Sequence, residues 1–263
     1  MKTIGFIGLG KMATAIISSL NQTENRIIVS GRDAEKTRIQ AEKLGIHAIH
    51  SHQELVKTSD IIILAVKPQM ISTILSQITD SLTADKVLVS IAASLTLEDL
   101  SDLIKDREQP LIRVMPNINA QIGQSTSAMV SNSFVSQENQ DFVKSIFLQV
   151  GTVHDIAEKD FSAFTALAGS SPAYIYMFID ALSRAGVLHG LPKEEATRIV
   201  AETVKASAEM VLESEENPWS LVDKVSSPAG STVAGVVSLE QNKFVGTVID
   251  AITATIEKEK KLK

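Results

Sequence analysis

Thr3-Ile4-Gly5-Phe6-Ile7-Gly8-Leu9-Gly10-Lys11-Met12-Ala13 carries a β-rich apolar run into a glycine turn and then into the helical pattern Lys11 to Leu20. Gly8, Gly10 and Ala13 fill the spacing G-x-G-x-x-G/A. The first glycine bends the chain, the second admits a pyrophosphate close to the backbone, and the small third residue lets helix pack on strand. The free N–H groups and positive dipole end of the helix then face the phosphates, with no charged side chain required. Glycine triplets also occur in plain tight turns. Here the strand before and the helix after are what point to a dinucleotide site, with Gly8, Leu9, Gly10, Lys11 and Met12 as its first candidate residues.

Downstream, Arg26-Ile27-Ile28-Val29-Ser30 reads as a second parallel strand. A site preferring NAD usually ends this strand in Asp or Glu, about 20 residues past the glycines, to hold the ribose 2′-hydroxyl. Ser30 stands there instead, followed by Arg32 and Lys36. A hydroxyl and two cations suit a 2′-phosphate, so NADPH is the expected cofactor and NADH the alternative. The competing reading makes Asp33 a helix cap and Arg32 and Lys36 its solvated face.

The alternation of strand and helix continues. Ala34 to Leu44 predicts a helix stopped at Gly45, and Ala48 to His50 a short third strand. Asp60 to Val66 is a continuous apolar run of the kind buried on both faces of a sheet, and Pro68 opens the next helix. Lys86 to Ile91 and Leu111 to Met115 repeat the strand signal around the helical Leu95 to Ile104. Ala65, Ala92 and Met115 then gather at the carboxyl edge, where such sheets bind ligands. His47, His50 and His52 have no i, i+4 pair, which argues against a metal site, and His154 and His189 stand apart.

From about Gly151 long helical patterns take over, so the chain is divided into a dinucleotide-binding domain, 1–152, and an all-helical domain, 153–263. Ala173 to Val187 and Lys193 to Glu213 are the longest helices. They are rich in Ala, Gly and Met around Ala181, Gly186, Ala201 and Ala208. Helices apolar on more than one side need a second subunit to cover them, which predicts a homodimer. Near the end, Ser227-Pro228-Ala229-Gly230-Ser231-Thr232 feeds a helix from Val233 to Gln241. Its hydroxyls and glycine can cradle a carboxylate, or can form a plain capped turn.

Composition narrows the partners. The chain has 263 residues, 44% of them apolar, no cysteine and a formal charge of −6. It has no basic footprint for nucleic acid and no membrane-spanning apolar run; the basic tail from Lys258 is short and interrupted by Glu259. The absence of cysteine excludes thiolate chemistry and suits a reducing compartment, so a cytoplasmic location is expected.

Taken in order, Gly5 to Ala13, Leu64-Ala65-Val66-Lys67-Pro68-Gln69, Arg113-Val114-Met115-Pro116-Asn117, Ser170-Ser171-Pro172-Ala173-Tyr174 and Ser227 to Thr232 resemble pyrroline-5-carboxylate reductase along essentially the whole chain. The resemblance implies an α/β fold, a Rossmann-type N-terminal domain followed by a helical dimerisation domain, with dimers assembling to a decamer. It also implies hydride transfer from NAD(P)H to Δ1-pyrroline-5-carboxylate to give proline. Ser227, Gly230, Ser231 and Thr232 would hold the substrate carboxylate and Thr165 would lie near the imine nitrogen, as the candidate catalytic residue. Ser30 and Arg32 would hold the 2′-phosphate, and Ala65, Val66, Lys67 and Pro68 would line the cofactor pocket. Ala229, Ser171 and Ser94 stand where the family pattern has glycine, and Ile118-Asn119 where Thr-Pro is common. No His, Asp, Glu or Lys lies in the Ser227 loop or in Ser170 to Tyr174, so the proton on the imine has no obvious strong acid as its source. A β-hydroxyacid dehydrogenase, the nearest rival, would carry a lysine near Ser170 to Leu182, and none is present. A non-catalytic dinucleotide sensor is the reading from another class.

Overall fold

The computed structural model describes residues 1–93, 95–106 and 108–261. Ser94, one of the positions read as replacing glycine, lies outside them. The chain forms two compact units, Met1–Gly169 together with Lys258 onward, and Ser170–Glu257.

The first unit is an eight-stranded sheet in the order β3-β2-β1-β4-β5-β6-β7-β8. Its elements are β1 (Thr3–Ile7), α1 (Lys11–Ser19), β2 (Arg26–Ser30), α2 (Ala34–Leu44), β3 (His47–Ala48), α3 (His52–Thr58) and β4 (Ile61–Leu64). They continue with α4 (Pro68–Ile78), β5 (Val87–Ser90), α5 (Leu97–Ile104), β6 (Leu111–Met115), β7 (Ser125–Ser131), α6 (Gln137–Leu148), β8 (Gly151–Asp155) and the short α7 (Phe161–Phe164). The first six strands are mutually parallel, β7 runs antiparallel to β6, and β8 is parallel to β7. Side chains alternate across the pleat, so Ile61 and Ile63 join one core layer while Ile62 and Leu64 join the other. This two-sided burial is why β4 reads as an unbroken apolar run.

Local chemistry sets the helix ends. Gly45 takes the left-handed conformation that closes α2, Asp33 caps its start by accepting from the Lys36 N–H, and Pro68 opens α4. The expected third strand is shifted to His47–Ala48 because these residues, rather than Ala48 to His50, pair with Ile28 and Val29.

The boundary expected between residues 152 and 153 is corrected, since it falls inside β8. Ser125 to Met129 pair with Gly151 to Asp155, and the sheet unit keeps the chain as far as Gly169. Gly151 shows the cause: a Cβ there would collide with the Ser125 backbone, so backbone meets backbone where the sequence suggested a domain boundary.

The second unit contains α8 (Ser171–Leu188), α9 (Lys193–Glu213), α10 (Pro218–Val225), α11 (Ser231–Gln241) and most of α12 (Phe244–Lys260). α8 and α9 approach closely at Gly186, where an added Cβ would stand 3.0 Å from that of Ala196. The Tyr174 and Thr255 hydroxyls bond to each other and tie α8 to α12. Among the described residues no helix is long and apolar enough to cross a membrane.

Candidate active site

At the end of β1 the Gly8 N–H donates to the Ser30 carbonyl at 2.8 Å, which closes the turn against β2. Gly8 has φ +99°, and a Cβ would sit 2.7 Å from both the Ala65 carbonyl oxygen and Val66 Cγ1. Only glycine fits there. Gly10 differs, because a Cβ would meet nothing within 4 Å, and it caps α1 with no side-chain hydrogen bond. The first N–H groups of α1 thus face open space that a pyrophosphate can fill, and the cradle fits a dinucleotide.

Two cavities adjoin this turn. One, of about 430 Å³, is lined by Gly8, Leu9, Gly10, Arg32, Lys36, Ala65, Val66 and Lys67 among others. The other, of about 460 Å³, shares Gly8, Arg32 and Val66 and adds His50 and His52. Lys11 lines a neighbouring depression with Lys36. Most of the candidate cofactor residues are therefore brought together by the sheet unit. Three are placed otherwise. Met12 packs against the core, Pro68 is the first residue of α4, and Ser30 is fully buried with its Oγ 2.8 Å from His52 Nδ1. The Ser30 hydroxyl, expected at the 2′-phosphate, is thus engaged by His52. His52 is half-buried, and burial pushes its pKa below the ordinary histidine value. Asp33 is a helix cap and also lines the smaller cavity, so the two readings of this stretch coexist.

Thr165 opens a π-helical turn, Thr165–Ser170, at the end of the sheet unit, and its Oγ1 donates to the Phe161 carbonyl at 2.8 Å. Two residues of β6 and its sequel hold this segment. Asn117 Nδ2 donates to the Ala168 carbonyl at 3.0 Å. Buried Arg113 donates to Glu158 at 3.2 Å and lies 4.3 Å from the centroid of the Phe161 ring, and Glu158 also accepts from the Leu97 N–H. Neither Arg113 nor Asn117 received a role from the sequence, although an arginine inside the apolar run Leu111 to Met115 was the available signal.

In the helical unit, Ser227, Ser231 and Thr232 are exposed and Gly230 caps α11 without a side-chain bond. The Gly230 N–H donates to the Ser227 carbonyl, and a Cβ on Gly230 would come within 2.5 Å of Ser227 Oγ. The turn therefore leaves the first N–H groups of α11 uncapped by any side chain, beside three hydroxyl groups.

The family model described as pyrroline-5-carboxylate reductase dimerisation matches residues 158–262, and one described as NADP oxidoreductase, coenzyme F420-dependent, matches residues 3–94. The chain is 39% identical to pyrroline-5-carboxylate reductase of Escherichia coli, over 99% of this chain and 98% of that one. The chain belongs to the pyrroline-5-carboxylate reductase family. Its structure matches the crystal structure of the Streptococcus pyogenes reductase with TM-score 0.91 and 44% identity, covering 99% of this chain and 98% of that one. It matches the Plasmodium falciparum reductase solved with NADP bound with TM-score 0.88 and 34% identity, covering 98% and 97%. As a pyrroline-5-carboxylate reductase family member the protein is an NAD(P)H-dependent oxidoreductase, and its reaction is reduction of pyrroline-5-carboxylate to proline.

Proposed function

We propose that the protein performs this reduction with the substrate carboxylate held by Ser227, Gly230, Ser231 and Thr232, Thr165 at the imine nitrogen, and NADPH held in preference to NADH. The single observation carrying the carboxylate assignment is the start of α11, where no side chain caps the helix and Ser227, Ser231 and Thr232 supply hydroxyls. Backbone N–H groups, the helix dipole and these hydroxyls hold the anion without an arginine. On the sheet unit, Gly8, Leu9 and Gly10 cradle the pyrophosphate, Arg32 pairs with the 2′-phosphate, and Ala65, Val66 and Lys67 line the pocket. When bound, the nicotinamide supplies the hydride that C5 of the imine accepts.

The role of Thr165 follows from its hydrogen bond. Its proton is committed to the Phe161 carbonyl, so its oxygen has lone pairs to offer and no free proton. Thr165 therefore accepts from the N–H of an already protonated imine and orients it. Protonation makes the imine the better hydride acceptor, and positioning is the main contribution of the protein. The helical unit mediates the dimer, with further assembly towards a decamer and a cytoplasmic location as the family resemblance and the cysteine-free composition suggest.

Thr232→Val tests the carboxylate site, since it keeps shape and deletes one hydrogen bond to a charged group. We expect kcat/KM for pyrroline-5-carboxylate to fall about 10- to 150-fold, the equivalent of roughly 1.5–3 kcal/mol. NADPH affinity should be unchanged, and 1-pyrroline, which lacks the carboxylate, should react poorly with both enzymes and almost equally. Equal slowing of both imines would move the carboxylate elsewhere.

A further inference from the structure

Three histidines within six residues, His47, His50 and His52, have no part in the reduction described above. The fold separates their situations. His47 pairs with Ile28 in the short β3, whereas His50 and His52 line the 460 Å³ cavity together with Arg32. His50 is exposed. His52, at the start of α3, is half-buried and anchored through Nδ1 to the fully buried Ser30 hydroxyl at 2.8 Å.

We propose that His52 is a second and titratable recognition group for the 2′-phosphate of the nucleotide, beside Arg32, so that the preference for the phosphorylated nucleotide rises as pH falls. This rests on the reading of the cleft as the NADPH site. The Ser30 hydroxyl can donate or accept, so the anchor survives protonation of the ring. With a neutral ring the hydroxyl donates to Nδ1, which leaves the ring proton on Nε2; with a cationic ring Nδ1–H donates to Ser30 Oγ. In both states the same bond orients the imidazole, and what changes is its charge. The surroundings make that charge count. The other ionisable groups lining the cavity are Arg32 and His50, both basic, while α4 contributes the uncharged Gln69, Met70, Thr73 and Gln77, and α3 adds Gln53. Among the described residues no carboxylate lines it; Asp33 lines one adjoining cavity, and Glu54 and Asp80 line another together with Lys57. Without an anion, burial favours the neutral ring. A phosphate dianion favours the cation and raises the pKa of His52. The extra affinity is therefore complete below the pKa of the free ring and is lost as pH rises through that of the bound ring.

The probes are 2′,5′-ADP and 5′-AMP, which differ only in the 2′-phosphate and need no turnover. Their dissociation constants are measured by calorimetry from about pH 5.5 to about pH 8.5 for the wild type, His52→Asn and His50→Asn. The 2′-phosphate itself titrates near pH 6, and this contribution is common to all three proteins. We expect the wild-type preference for 2′,5′-ADP to fall by about tenfold more than that of His52→Asn across the range, as the charge-assisted bond is lost. His50→Asn should follow the wild type. The same pH slope in His52→Asn, or a slope removed only by His50→Asn, would overturn the proposal. His52→Gln repeats the comparison should His52→Asn melt early by circular dichroism. If neither nucleotide binds the wild type at any pH, the cleft itself has been misread and the inference falls with it; binding with an unaltered slope in both His52 variants defeats the inference alone.

Discussion

In β4 all four residues from Ile61 to Leu64 are fully buried, whereas along α8 Phe178, Leu182, Ile175 and Met177 stand 38%, 43%, 46% and 71% exposed. Both stretches are apolar. The sheet unit covers its own apolar residues with helices on two faces, while in the helical unit only Pro172 and Ala196 have buried apolar side chains among the described residues of Ser170–Glu257. A hydrophobic run is thus a core in one unit and an interface in the other. Exposed apolar faces of this extent mark an association surface, in keeping with the dimerisation model that matches residues 158–262. The proposed anion sites differ as well, for the sheet unit offers the Arg32 guanidinium and the loop before α11 offers hydroxyls and N–H groups.

The largest expected effect is on the uncovered face. Met177→Asp would bury an unpaired carboxylate between subunits and should cost about 3–5 kcal/mol of dimer stability, read as dissociation or unfolding by sedimentation. Ile39→Asp, on an isoleucine of the sheet unit that is 43% exposed, should stay within about 0.5 kcal/mol. An undisturbed dimer in Met177→Asp would break the comparison. Next comes Ile62→Ala in the closed core, expected to cost about 2–5 kcal/mol in urea unfolding. If part of that loss varies with protein concentration, the sheet unit leans on its partner more than its burial implies.

Arg32→Ala sharpens the contrast between the anion sites. It should weaken NADPH binding by about 10- to 150-fold, the equivalent of roughly 1.5–3 kcal/mol, and leave NADH nearly unchanged in fluorescence titrations. Equal losses would detach Arg32 from the 2′-phosphate. The smallest effect concerns Ala229, which has φ +59° where the family pattern has glycine. Left-handed geometry costs an alanine roughly 1–2 kcal/mol, and glycine gives back about half in chain entropy. Ala229→Gly should therefore raise stability by about 0.5–1 kcal/mol, measured as a small rise in Tm.

The sheet was legible wherever burial on both faces wrote a continuous apolar run, as in β4, or where Gly45 and Pro68 punctuated a helix. β7, α6 and β8 were not legible. Ser125-Thr126-Ser127 carry no apolar strand signal and Gly151-Thr152 read as a domain boundary, yet they pair with each other, and the information that pairs them is long-range. The cofactor turn was readable because glycine spacing is a local backbone requirement. The Ser30–His52 bond and the Arg113–Glu158 pair were not, since each joins residues more than 20 positions apart.

The two ends of the sheet also govern how copies of the chain meet. One edge strand, β3, is only two residues long, and the other, β8, ends in His154 and Asp155, the latter paired with Lys144. Neither offers a long, flat, apolar row of free backbone groups, the template on which strands of separate molecules add to one another. Edge-to-edge addition of sheets is disfavoured at both margins, which leaves the exposed apolar helices of the second unit as the surface for self-association.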